Sequence, residues 1–497
     1  MRNFIYRVLA LTIGLVLIFL SACVPLEQPP APGPDVVEDA PLPPIPDAPL
    51  PTALPTREPY PPGTLVEYIA QSGDTLPVLA AHFNTTEAEI REANPIIPGD
   101  ATTMPAGFPM QIPIYFRPLW GTPYQILPDS LFVNGPLQRD FDAVVFVESQ
   151  PGWLKNYKVA QVKGSLKGGE IINHIAINYS ISPRLLLAVL EYQLGALSSP
   201  DLPESIDRYS LGYRNNNYTG LLRQLTWAAN TLNNGYYGWR TGSLDTFNHP
   251  DGRTERPDPW QNSATVAFHY FYSKLFPIEA YDYAVSGVGL KQTYQDLFGD
   301  PWVNGTAHIE GSLKQPELSL PFAPGRTWAF TGGPHNAWGE GDPLSALDFA
   351  PPSVLGGCSV AEDPAVAVAD GVIVRRGDAL AILDLDGDGD ERTGWVVLYL
   401  HLANESLPAV GTVLKQGQPI GMPSCEGGSA TGTHVHIARK YNGEWMAAGG
   451  AVAFNLEGWV AAQGSIAYQG SLTKLSRVVN ACVCSDRESQ LSAGLQQ

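Results

Sequence analysis

The spacing of apolar positions changes character three times along the chain. From Leu65 to Pro113 a short strand, VEYIAQ, gives way to Gly73-Asp74-Thr75-Leu76 and then to Leu79, Ala80 and Phe83 at helical spacing. Asn84-Thr85-Thr86 interrupts that helix. Thr86 can cap a second one running through Ile90 and Ala93 to Asn94, and FPMQIPIY closes the segment as a strand. The pattern predicts a small βααβ unit over residues 63–116. Residues 120–310 read as mainly helical. INHIAINYSISPRLLLAVLEYQLGAL divides into two helices, the second opening at Ser182-Pro183, and GLLRQLTWAANTLNNGYYGWR and SATVAFHYFYSKLF add two more amphipathic stretches. From Pro321 the period shortens to two. PAVAVADGVIVRRG, ALAILDLDG, GWVVLYLHL, GTVLKQGQPIGMP and THVHIARKYNG are short apolar runs parted by Gly-rich turns, predicting an antiparallel β domain over residues 320–465. Residues 466–497 carry no readable pattern and are expected to form a tail. The fold class is therefore multidomain α+β.

Composition changes this picture at the N-terminus. Arg2 and Arg7 precede an uncharged apolar run, Val8 to Leu20, which is too short to span a bilayer comfortably and reads as an export signal over residues 1–22. Leu20-Ser21-Ala22-Cys23 resembles the lipobox of bacterial lipoproteins. That resemblance implies that Cys23 is lipidated, becomes the mature N-terminus and ties the protein to a membrane outside the cytoplasm. Residues 23–62 hold little besides Pro, Ala, acidic residues and scattered Leu, so they cannot bury a core and should form an extended tether. A formal net charge of −19 argues against nucleic acid or an anionic lipid surface as the partner. In an oxidising compartment the remaining cysteines can form disulfides. Cys358 and Cys425 share the β region and are the preferred pair, whereas Cys482 and Cys484 look too close in sequence to bridge each other.

The βααβ segment, with YIAQSGDTL and an Asn-Pro near the end of its second helix, resembles a LysM module. This implies binding to N-acetylglucosamine-containing glycans such as peptidoglycan. In the helical stretch, ISPRLLLAVLE resembles the catalytic helix of lysozyme-like transglycosylases, which would make Glu191 an acid. No second catalytic feature accompanies it, so a glycan-binding or spacer role is expected. Trp227, Tyr236, Tyr237 and Trp239 could stack on sugar rings, although such residues are more often core.

Four of the nine histidines, His335, His401, His434 and His436, fall in the β domain. On a strand, His434 and His436 of GTHVHIARKYNG face one side. GGPHNAWGEGDPLSALDFA contributes His335 and Asp348, and YLHL ends in His401. The order His, Asp, Tyr-x-His, the hairpin VLKQGQPIG and Gly-x-His-x-His resembles the lysostaphin or LytM zinc metallopeptidases. Most of that family has its first His four residues before the Asp, where Leu344 stands here. His335 precedes Asp348 by thirteen, a spacing similar to the beta-lytic branch. The resemblance implies a peptidoglycan endopeptidase with one zinc ion held by His335, Asp348 and His436, leaving a fourth position for water. His401 and His434 stay uncoordinated. One can deprotonate the water, both can donate to the oxyanion, and the division of those roles stays open.

Asp384, Asp386, Asp388 and Asp390 match the first half of a calcium loop, but Trp395 occupies the twelfth position where Glu is expected, so an acidic hairpin turn is preferred. Two other functions fit the same chain: an inert wall-binding scaffold or activator of other hydrolases, and a bifunctional hydrolase that also cuts glycan.

Overall fold

The computed structural model describes residues 57 and 59–494, apart from 119–120, 162–163, 353–356 and 485. The signal segment, Cys23 and nearly all of the Pro-rich tether lie outside the described residues. No helix among the described residues is long and apolar enough to cross a membrane.

The N-terminal unit runs β1 (Thr64–Ile69), α1 (Leu76–Phe83), α2 (Glu87–Ala93), β2 (Pro109–Ile114), with β1 and β2 antiparallel. Thr86 and Glu89 form a reciprocal capping box that starts α2, and left-handed Asn84 ends α1. Val66, Tyr68, Leu79, Phe83, Ile90 and Ile112 close a small core of their own.

The next stretch contains α3 (Ala143–Ser149), the hairpin β3 (Lys158–Gln161) and β4 (Gly164–Lys167), α4 (Gly168–Tyr179), α5 (Pro183–Leu194) and α6 (Leu221–Thr241). A second hairpin, β5 (Phe247–Asn248) with β6 (Thr254–Glu255), precedes α7 (Ser263–Tyr272), α8 (Ile278–Ala284), α9 (Leu290–Phe298) and α10 (Pro301–Asn304). The Ser182 hydroxyl accepts the Leu185 amide and Pro183 occupies the first turn, which is why α5 starts there.

The C-terminal region is sheet-rich. Its strands are β7 (Thr327–Asn336), β8 (Leu344–Ala350), β9 (Ala365–Val366), β10 (Gly371–Gly377), β11 (Leu380–Asp384), β12 (Trp395–Leu400), β13 (Val413–Leu414), β14 (Pro419–Gly421), β15 (Val435–Tyr441) and β16 (Glu444–Trp445). They continue with β17 (Asn455–Leu456), β18 (Trp459–Gln463), β19 (Gly470–Lys474), β20 (Arg477–Asn480) and β21 (Gln490–Ser492). The main antiparallel sheet has the order β13-β10-β11-β12-β15-β8-β7-β21, with β16 attached to β15. Strand alternation gives it two unlike faces. Val435, Ile437, Leu347, Phe349, Val397 and Tyr399 pack with Leu456, Trp459, Leu472 and Val479 of the β17–β20 sheet. Ala438, Ala346, Leu398, Leu400, Ile382 and Trp445 pack into the same core as Ile175, Leu186, Leu232, Tyr236 and Phe268 of the helices. Helices and sheet thus share one core.

Two expectations need correction. Residues 470–492 are not a tail, because Leu472, Val479 and Leu491 are buried as parts of β19, β20 and β21. Cys482 and Cys484 are bonded to each other, since the turn between them brings their Cα atoms to 5.1 Å. Cys358 and Cys425 form the other disulfide, with Cα atoms 5.3 Å apart.

A strap, residues 308–313, leaves the helices and turns at Gly311-Ser312 against the βααβ unit before the chain continues to the sheet. The Ser72 hydroxyl accepts the amides of His308 (3.2 Å) and Ile309 (2.9 Å). Thr103 donates to the Glu310 carbonyl (2.7 Å) and accepts from Leu313 (2.9 Å), and Thr102 donates to the Leu313 carbonyl (2.7 Å). Ile309 and Leu313 are buried, and a Cβ on Gly311 would run into Pro105 at 2.6 Å. Beside the strap, Arg240 of α6 donates to the Ser72 carbonyl (2.6 Å) and to Asp129 (3.0 Å) and pairs with Glu444 of β16 (2.9 Å). His308 lies 2.6 Å from the same Glu444.

Candidate metal centre

The sheet register brings together residues far apart in sequence. His436 on β15 stands opposite Asp348 on β8 and opposite Leu400 on β12, which places His401 just beyond the end of that strand. His335 sits near the end of β7, where the register with β8 shifts at three points so that its ring reaches the same spot. His335, Asp348, His436 and His401 are buried, and His434 is half-buried.

One oxygen is central. Asp348 Oδ1 lies 3.3 Å from His335 Nε2, 3.2 Å from His436 Nδ1 and 3.7 Å from His434 Nε2. His335 Nε2 and His436 Nδ1 are 3.0 Å apart. The other nitrogen of each ring faces a backbone carbonyl: His335 Nδ1 that of Gly333 (2.8 Å) and His436 Nε2 that of Ala337 (3.3 Å). A carbonyl only accepts, so those nitrogens carry the protons and the two facing each other present lone pairs. Two lone pairs and a carboxylate oxygen converging in a buried space repel unless a cation sits among them. Consistent with this, Asp348 Oδ1 is buried and makes no well-directed hydrogen bond. The set meets the requirements of zinc: two imidazoles and a carboxylate, with ligand atoms within 4.8 Å of one another.

Electrostatics follow the same geometry. Burial works to raise the Asp348 carboxyl, but His335, His436 and His434 outweigh it and hold the group below the ordinary carboxylate range. Burial lowers the His335 imidazole and the adjacent Asp348 charge more than restores it, so its pKa rises. Burial takes His436 down to about 4, and burial together with His434 lowers His401.

His401 and His434 pack against each other with ring centroids 4.6 Å apart. Each points Nδ1 at a carbonyl, Glu426 (3.0 Å) and Gly432 (2.7 Å) respectively, which leaves Nε2 to act. A residue missing from the sequence reading joins them. Tyr468 stacks on His335, with ring centroids 4.2 Å apart, and its backbone bonds to Gly333 and Pro334. It lies in the segment read as featureless, where nothing in the local pattern marks it.

The other candidates stand elsewhere. The Glu191 carboxylate accepts the amides of Leu197 (2.7 Å) and Ser198 (3.2 Å), closing the turn after α5, so it is engaged structurally rather than poised as an acid. Trp227, Tyr236, Tyr237 and Trp239 are core. Asp384, Asp386 and Asp388 also gather within 4.8 Å. Their carboxylates accept local groups, among them the amides of Gly389 and Asp390 and the Thr393 hydroxyl, which is the chemistry of an acidic hairpin turn.

Comparison with known proteins adds to this geometry. Residues 125–311 match the family described as LasA, N-terminal domain. The chain is similar to Protease LasA. It is 25% identical to the Pseudomonas aeruginosa PAO1 protein over 345 residues, covering 65% of this chain and 76% of that one. Among solved structures, pseudoalterin, an M23 metalloprotease from the deep sea, is 24% identical with a TM-score of 0.28, covering 34% of this chain and 96% of its own. The catalytic domain of lysostaphin from Staphylococcus simulans is 23% identical with a TM-score of 0.18, covering 25% and 89%.

Proposed function

We propose that this chain is a metalloendopeptidase that hydrolyses peptide bonds of bacterial peptidoglycan, with one zinc ion held by His335, Asp348 and His436. The observation that carries the reading is the convergence of two imidazole lone pairs on the orphaned Asp348 oxygen, with two more imidazoles beside it. Similarity to Protease LasA supports the same class of activity. Zinc bound there supplies a Lewis acid that acidifies water and polarises a scissile carbonyl. The remaining steps belong to the protein. With Nδ1 anchored, His434 and His401 keep Nε2 aimed into the site, where one can take a proton from the attacking water and return it to the leaving amine. The other can donate to the oxygen that gains charge. Burial limits water and strengthens both interactions.

In this reading the βααβ unit is a LysM module that adds affinity for glycan, and lipidation at Cys23 holds the protein to a membrane on the extracytoplasmic side of the cell. The test is direct. Purified chain is assayed for bound zinc, then incubated with defined muropeptides whose fragments are weighed by mass spectrometry. We expect one zinc per chain and new amine termini. A zinc-loaded chain that leaves every muropeptide intact would favour a scaffold or activator, and release of reducing sugar would point to glycan cleavage.

A further inference from the structure

The thirteen-residue spacing from His335 to Asp348 leaves a loop, residues 337–343, between the strands that carry these two ligands. That loop does not stand free. It is fastened to α6 by a repeated contact. Asn230 Oδ1 accepts the Glu340 amide (2.7 Å), and one helical turn later Asn234 Oδ1 accepts the Asp342 amide (2.9 Å). The residue before each of those amides is a glycine with positive φ, Gly339 (+77°) and Gly341 (+91°), where a Cβ would run into the Oδ1 of Asn230 and of Asn234. Ser243 donates to the Asp342 carboxylate (2.8 Å), and Trp338 packs against the helical core. The loop and the helix are thus fitted to each other at successive residues.

The loop also reaches the ligands. Ala337, buried at its start, supplies the carbonyl that faces His436 Nε2. That contact keeps the proton on Nε2 and the lone pair on Nδ1, the nitrogen that faces His335 and Asp348. We infer that Asn230 and Asn234 are positioning residues for the metal centre. They hold the β7–β8 loop so that the Ala337 carbonyl orients His436, and the helical region thereby contributes to metal affinity without touching the metal. The inference rests on the reading of His335, Asp348 and His436 as ligands.

The experiment uses the full chain and measures zinc affinity and the rate of zinc loss to a chromophoric chelator, at a temperature well below unfolding. Asn230→Leu, Asn234→Leu and the double variant remove the acceptors. Asn230→Asp keeps one, because only the oxygen of that side chain is used. Loss of an outer hydrogen bond to a metal ligand weakens metal binding by roughly 10–100-fold. We expect that range for the leucine variants and near-wild-type behaviour for Asn230→Asp. Phe271→Leu, a core change in α7, controls for general loosening: it should lower Tm and leave zinc release unchanged. If the double variant fails to fold, Asn230→Leu alone and Ser243→Ala carry the comparison. Unchanged affinity and release in the leucine variants, or equal loss in Asn230→Asp, overturns the inference. A wild-type chain that takes up no zinc removes the metal reading itself, and the inference falls with it.

Discussion

His436 lies on β15 and His434 comes just before that strand, and the two stand in different environments. The His436 ring is buried with Nδ1 against Asp348 and His335, whereas His434 is half-buried, 3.7 Å from Asp348, and paired with His401. We therefore expect His436→Ala, His335→Ala and Asp348→Ala each to lose both zinc and hydrolysis. His434→Ala and His401→Ala should keep zinc while kcat falls by about 10² or more. Metal analysis beside a peptide assay separates the two groups, and a His434→Ala chain without zinc would refute the division. The spacing of His, Asp, Tyr-x-His and His-x-His could be read in the sequence because side-chain identity and strand period are local properties. The Ala337 carbonyl and Tyr468 could not. A backbone carbonyl leaves no mark in a sequence, and the stacking of Tyr468 on His335 exists only after β18 and β19 pack beside β7.

At the level of elements, the strong signals were those with a long period or a cap. Thr86 and Ser182 mark helix starts in the sequence, and both accept the amides expected of caps. The strands after residue 466 were missed because each is at most five residues long and alternation over so short a run is indistinguishable from loop. The Cys358–Cys425 bond ties the segment after β8 to the loop ahead of β15, next to the Glu426 carbonyl that anchors His401. It closes a separation of 67 residues, for which the chain-entropy relation gives about 4 kcal/mol as an upper figure. Cys425→Ser should lower stability by about 2–4 kcal/mol in denaturant titrations. It should also reduce kcat more than KM, because His401 loses the support of its carbonyl. An unchanged unfolding midpoint would mean that packing alone holds the loop.

Across the whole molecule, buried charge sits where three regions meet. Burial acts to raise the Glu444 carboxyl, but Arg240, His308 and Tyr236 outweigh it and bring it down to about 2. A carboxyl whose folded pKa lies below its unfolded value of about 4.3 contributes stability at higher pH and loses it as the pH falls through the folded value. Stability should therefore decline between about pH 4 and pH 2, and Glu444→Gln should flatten that decline while being less stable at pH 7. Equal slopes in acid titrations of the two proteins would exclude Glu444 as the group responsible. The apolar residues of the sheet face covered by the helices, among them Leu398, Leu400 and Trp445, belong to the same core as α4 to α7. The boundary read near residue 310 marks a change in pattern rather than a gap between independent bodies.

The strap at residues 308–313 shows what that shared core implies. Its ends are held by side chains of the βααβ unit, and the regions it joins are held by buried surface and by Arg240, so its peptide bonds carry little of the load. A nick there should give two polypeptides on a denaturing gel but a single particle by native mass spectrometry, with its midpoint of thermal unfolding now dependent on protein concentration. Separation of the pieces on nicking would place the cohesion in the covalent connection instead. If they stay together, continuity of the chain and integrity of the folded body are separate properties here, and cleavage at this point would not by itself release the sheet from the helices.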